Sequence, residues 1–169
     1  LRKAANHPLL LLRHYEKDLD RMVQESYKLN LFGHNCSFHT VKKYMYTAQT
    51  GNDYRLHLHC KEYQEESPYL KSLMLDESLL TDSPKLNWLR ENLPKLWKQG
   101  HRVLLFSQWT TLLDLIEILI SDLGEADRFL RLDGQTSVND RQNMIDQFNA
   151  PNSRHRTFLL STRAGGMGI

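Results

Sequence analysis

Apolar positions in the second half of the chain follow two alternating rhythms. After Ser83 and Pro84, Leu86, Leu89, Leu93 and Leu96 recur every three or four residues. That spacing predicts a helix capped by Ser83, opened by Pro84 and stopped at Gly100. Pro94 interrupts it, and an interior proline costs about 3 kcal/mol, which predicts a kink or break near Asn92. Val103 to Ser107 is apolar without alternation and reads as a strand buried on both faces. Thr110 to Leu123 carries Leu112, Leu115, Ile116, Leu119, Ile120 and Leu123 on one helical stripe. Phe129 to Leu132 is a second strand, ended by Asp133-Gly134. Ser137 with Asp140 caps a helix bearing Val138, Arg141, Ile145 and Phe148 along one side. Thr157 to Leu160 is a third strand.

The first half is less regular. Tyr15 to Leu31 and Asp53 to Glu65 are predicted helices, the latter with Leu56, Cys60 and Tyr63 at spacings of four and three. Phe32 to Asn52, with Gly33, Asn35, Ser37, Gly51 and Asn52, reads as loop. The chain therefore divides into a mainly helical appendage, residues 1–82, and an α/β part, residues 83–169.

Helix and strand alternate through that second part, which predicts parallel strands joined by right-handed crossovers, with ligands in the crevice beyond the strands' carboxyl ends. The segments after the three strands are SQWT, DGQT and STRAGG, and this topology brings them to one edge of the sheet. Ser107, Gln108, Thr110, Gln135, Thr136, Ser161 and Thr162 supply neutral donors. Arg163 adds a charge, while Gly134, Gly165, Gly166 and Gly168 expose main chain. Such a set suits a phosphodiester backbone, gripped without base readout. The competing explanation is that these are ordinary βα turns, where the same residue types close loops and cap helices.

Several classes of chemistry lack support. No GxxxxGK[ST] phosphate loop occurs, and no acidic box follows an apolar strand, so the segment is not expected to hydrolyse nucleotide alone. Lys and Arg number 22 against 20 Asp and Glu, a formal net charge of +2 that does not suggest a protein coated in basic residues. His34, Cys36, His39, His57, His59 and Cys60 cluster in sequence, but their irregular spacing does not fit a structural zinc site. Core packing for Cys60 and solvation for the histidines are expected instead, and no metal ligand is assigned. Trp88, Trp97 and Trp109 sit on different elements and suit core or rim packing better than base stacking. Lys61 to Glu66 reads as a solvated helix face.

Two cysteines make poor material for a disulfide framework. No apolar run exceeds Pro8 to Leu12, far short of the roughly 18 to 20 residues that cross a membrane. LRKAANHP has no signal-peptide layout. The expectation is a soluble intracellular segment. STRAGGMGI, Ser161 to Ile169, has the make-up of a loop that opens a helix and leads to further strands, so part of a larger domain is expected.

LRKAANHPLL at 1–10, VLLFSQWTTLLDLIEILI at 103–120, LRLDGQTSVNDRQNMIDQFN at 130–149 and FLLSTRAGGMGI at 158–169 resemble the SWI/SNF-type chromatin-remodelling ATPases of helicase superfamily 2. RLHLHCKEY at 55–63 is similar to a segment of the Fun-type remodellers containing a DEAD/H box. The resemblance implies a second RecA-like lobe at 83–169, lacking its C-terminal portion, and a helical linker region between lobes at 1–82. Ser107 and Gln108 match motif IV; Arg131, Asp133, Gly134 and Thr136 match the RLDG-T element; Ser161 to Gly168 match motif V. DNA-backbone contact is implied for Ser107, Gln108, Arg131, Gly134, Thr136, Ser161, Thr162 and Arg163, and proximity to the nucleotide cleft for Gly165, Gly166 and Gly168. ATP and Mg, held mainly by a first lobe outside this sequence, are the implied cofactors. Double-stranded DNA and nucleosomes are the implied partners, and the nucleus the implied location. Two other readings stay open: a non-catalytic RecA-like nucleic-acid-binding module, and an RNA helicase lobe of the same superfamily.

Overall fold

The computed structural model describes residues 2–47 and 51–165, which form two compact units, Leu1–Leu80 and Thr81–Ile169.

The N-terminal unit is helical. A 3₁₀ turn at Pro8–Leu10 precedes α1 (Leu19–Lys28), α2 (Phe38–Tyr46), α3 (Asp53–Glu62), the short α4 (Pro68–Ser72) and a 3₁₀ turn at Glu77–Leu80. Tyr15, Leu19, Met22, Val23, Val41, Met45, Leu56, Cys60 and Leu70 are its buried core. The expected helix Tyr15 to Leu31 is shorter at both ends. At its start, the N–H groups of Arg13, His14 and Tyr15 all donate to the Asp53 carboxylate, at 3.0 to 3.2 Å, so these residues do not enter the helix. At its end, Asn30 takes a left-handed φ of 54°, a conformation asparagine tolerates at a helix stop.

Two further expectations need correction. Phe32 to Asn52 is not all loop, because α2 forms within it. Ser37 accepts the Thr40 N–H as its cap, and Val41 and Met45, four apart, are buried. The histidines of α3 are not solvated. His57 is fully buried, its Nδ1 accepting the Leu75 N–H at 3.1 Å. His59 stacks on Phe32 and lies 2.8 Å from the Ser26 hydroxyl through Nε2, and burial pushes its pKa down to about 4. Among the described residues no group of three or more His, Cys, Asp and Glu is placed to hold a metal ion.

The C-terminal unit runs α5 (Pro84–Lys98), β1 (Val103–Ser107), α6 (Thr110–Asp122), β2 (Phe129–Leu132), α7 (Val138–Asn149), β3 (Thr157–Ser161) and α8 (Thr162–Gly165). The three strands form a parallel sheet ordered β1-β3-β2. From β1 the α6 crossover passes over to β2, and from β2 the α7 crossover steps back to the middle. Two right-handed crossovers running in opposite directions place their helices on opposite faces. On one face α6 packs with Leu113, Leu115 and Leu119 fully buried. On the other, Phe148 of α7, with Met144 and Ile145, packs on Leu130, Leu132, Phe158 and Leu160.

β3, in the middle, is buried at every residue. β1 is not buried on both faces as expected. Leu104 and Phe106, on the α7 side, remain 48% and 56% exposed, because α7 covers β2 and β3 and stops short of β1. Helix α5 runs unbroken through Pro94, contrary to the expected break. Leu86, Leu89, Leu93 and Trp97 are buried along one side, and at about 1.5 to 3 kcal/mol each they outweigh the cost of one interior proline. The Asn92 side chain also donates to the Trp88 carbonyl at 2.7 Å. Trp97 packs as expected, whereas Trp88, off that stripe, is 59% exposed rather than packed. No helix among the described residues is long and apolar enough to cross a membrane.

Candidate nucleic-acid interface

All three strands point the same way, so their carboxyl ends share one rim. Ser107 pairs with Ser161, and Leu132 pairs with Leu160, which puts Asp133 one residue beyond the paired end of β2. SQWT, DGQT and STRAGG therefore emerge side by side, with the central tip supplied by β3.

The residues at these tips divide into those that build the rim and those that face outward. Ser107 is 6% exposed, and its hydroxyl donates to the Trp109 carbonyl and accepts the Trp109 N–H, closing the turn on itself. Ser161 is buried too, its hydroxyl accepting the Ala164 N–H at 3.3 Å. Gln108, Thr110, Gly134, Gln135, Thr162 and Arg163 are exposed. At Gly134 a Cβ would meet nothing within 4 Å, so the outer side of that turn is open to an incoming group. Gly166 and Gly168 lie outside the described residues; Gly165 ends α8.

Arg131 has a different environment from the other tip residues. Its guanidinium reaches Asp114 at 2.6 Å, Glu117 at 2.9 Å and Asp133 at 2.9 Å. Burial works against its charge, but the bonds to Asp114 and Glu117 more than offset this and raise its pKa. The guanidinium is thus engaged within the unit, where it fixes the Asp133 carboxylate.

The DGQT turn is closely tied down. The Asp133 carboxylate accepts the Gln135 N–H at 2.9 Å, the Thr136 hydroxyl accepts the Asp133 N–H at 3.1 Å, and the Thr136 N–H donates to the Asp133 carbonyl at 3.2 Å. From α7, Arg141 donates through Nε to the Thr136 carbonyl at 3.2 Å and through Nη2 to the Asp133 carbonyl at 3.4 Å. Asp114, Glu117 and Arg141 were absent from the sequence-derived site. Asp114 and Glu117 are three apart on α6 and so share a face, but nothing in the sequence says that this face meets β2. A cavity of about 340 Å³ in the N-terminal unit, lined by Phe32, Tyr44, His59 and Tyr63 among others, contains none of the expected site residues.

Residues 84–169, just over half of the chain, match the family profile described as helicase conserved C-terminal domain. The chain belongs to that family. Its branch is that of the SWI/SNF-related chromatin remodellers. It is 40% identical to "Protein CHROMATIN REMODELING 19" of Arabidopsis thaliana, over 99% of this chain and 21% of that protein. "ATP-dependent helicase fft2" of Schizosaccharomyces pombe is 38% identical over 100% of this chain and 12% of its own length. The Homo sapiens "SWI/SNF-related matrix-associated actin-dependent regulator of chromatin subfamily A containing DEAD/H box 1" is 37% identical, over 100% and 16% respectively. Among solved structures, the C-terminal part of the Fun30 ATPase domain superposes with a TM-score of 0.78 at 34% identity, covering 99% of this chain and 52% of that one. The chain thus spans about an eighth to a fifth of the length of these curated relatives.

Proposed function

We propose that residues 83–169 are part of the second RecA-like lobe, and residues 1–82 a helical region between lobes, of an ATP-dependent translocase that moves along double-stranded DNA and remodels nucleosomes in the nucleus. The observation that carries this is the shared rim: three parallel strands deliver three polar, hydroxyl-bearing tips, two of them with glycine, to one edge. Neutral donors with one flexible cation suit a phosphodiester spine, which needs positioning contacts and no base-specific ones. In this reading Gln108, Gly134, Thr136, Thr162 and Arg163 contact the backbone, while Ser107, Ser161 and Arg131 shape the tips.

ATP with Mg would be held mainly by the first lobe and would supply the chemical energy for translocation, the second lobe closing on it. The exposed Arg163 suits approach to a phosphate. That fits a lobe closing on nucleotide held elsewhere; Gly165, Gly166 and Gly168 are the residues assigned to that cleft. The relatives' names, a chromatin regulator and an ATP-dependent helicase, support the same reading.

ATP turnover by the full-length protein, measured without nucleic acid, with duplex DNA and with RNA, tests it. Stimulation by duplex DNA is expected. Stimulation by RNA alone would favour an RNA helicase, and DNA binding without turnover would favour a non-catalytic module. Residues 1–169 alone are expected to be marginally stable, which urea unfolding checks, and to hydrolyse no ATP, which the same turnover assay checks.

A further inference from the structure

We propose that Arg141 is a positioning residue that holds the Asp133–Thr136 tip in the conformation that receives DNA, an inference that rests on the translocase reading above. Arg141 stands on the first turns of α7, immediately after the capping pair in which the Ser137 hydroxyl accepts the Asp140 N–H at 3.2 Å and donates to the Asp140 carboxylate at 2.6 Å. From that fixed base its guanidinium reaches back over the turn to the Thr136 and Asp133 carbonyls, at 3.2 and 3.4 Å. Arg131 meanwhile holds the Asp133 side chain, at 2.9 Å.

Two arginines thus clamp one four-residue turn, one through its side chain and one through its main chain. The consequence is a division of the turn's polar groups. The N–H groups of Asp133, Gln135 and Thr136 are all satisfied internally. Gly134 and the Gln135 side chain are exposed, and the Thr136 hydroxyl, already an acceptor, keeps its proton for donation. A turn with its inner bonds complete presents these outward groups without the entropic cost of ordering them at each encounter.

Among the described residues Arg141 has no carboxylate partner, so its role is not that of an ion pair like Arg131's. Its function is geometric: a planar fork spans two carbonyls that a single ammonium cannot hold together. A lysine at this position keeps the charge and loses the clamp.

The test compares wild type, Arg141→Lys and Arg141→Gln in the full-length protein, with duplex DNA as the titrant of ATP turnover. Both variants are expected to raise the half-saturating DNA concentration about fivefold, the worth of one net hydrogen bond. Turnover at saturating DNA should change much less. The salt dependence of DNA binding should keep its slope in both. Recovery of wild-type behaviour by lysine would overturn the proposal, because it would show that charge and not geometry matters. A slope reduced by about one in Arg141→Gln would overturn it too, by making Arg141 a direct phosphate contact. If Arg141→Gln does not fold, the lysine variant alone decides. Amide exchange at Gly134 to Thr136, measured without DNA, separates this inference from the translocase reading. Faster exchange in Arg141→Lys supports the clamp even if duplex DNA fails to stimulate wild-type turnover, and unchanged exchange refutes it.

Discussion

Ser107 and Ser161 face each other as the last paired residues of β1 and β3, and both turn their hydroxyls back onto their own chain. The hydroxyls nearest the sheet therefore shape the rim, and the residues beyond them are left to meet a ligand. Arg163 is exposed on the central tip, and in the proposed reading it meets a phosphate. Arg163→Ala is expected to weaken DNA binding by the full-length protein to a similar degree for all sequences. The slope of log affinity against log salt should fall by about one, which a salt titration of binding measures.

Trp97 donates its indole N–H to the Thr157 hydroxyl at 3.1 Å, tying α5 to the start of β3, with both residues buried. Thr157→Val keeps the shape but leaves a buried donor unpaired, at a cost of about 1 to 3 kcal/mol. Adding Trp97→Phe removes that donor as well. The double variant should therefore lose less stability than the two single losses added together, which urea unfolding of the four proteins would reveal.

Asp53, at the head of α3, gathers three main-chain N–H groups from residues 13–15 and so fixes where the chain enters the helical unit. Asp53→Asn keeps one acceptor oxygen and turns an amide toward the donors that faced the other. A loss of about 2 to 4 kcal/mol is expected, seen as a lower urea midpoint.

His59 is kept neutral in the folded state, its pKa pushed down by burial to about 4, and burial lowers the pKa of His57 as well. An unfolded histidine titrates near 6.5, so the unfolded chain takes up these protons first. The stabilising effect of neutrality is complete above about pH 6.5 and is lost as the pH falls from there toward 4. Urea midpoints should drop across that window, and His59→Gln should flatten the drop.

How much of this could be read along the chain depended on how local each cause was. Ser83 and Ser137 cap α5 and α7 where their positions foretold, because a cap involves residues only three apart. The stripe Leu112 to Ile120 is buried as its spacing required. Helix α2 was missed because loop-forming neighbours at Gly33, Asn35 and Gly51 obscured a nine-residue helix whose own signal was Ser37 followed by Val41 and Met45. Pro94 misled in the other direction, since its penalty is local while the burial that offsets it comes from tertiary packing, with α6 and with Thr157 of β3 among the partners.

The rim was foreseeable in outline because alternation of helix and strand allows essentially one handed parallel arrangement, and that arrangement gathers the strand ends. Which rim residues face outward was not. Arg131 looks like a free cation along the sequence, yet Asp114 and Glu117, 17 and 14 residues earlier, engage it. Alone, the order of residues determined the strands, the capped helices of the second unit and the family, because periodicity, caps and motifs are short-range properties. Only the tertiary structure decided that β3 lies in the middle, that Leu104 and Phe106 stay exposed, and that Arg131 and Arg141 clamp one turn. Those outcomes depend on which distant surfaces meet, and no short-range pattern encodes that.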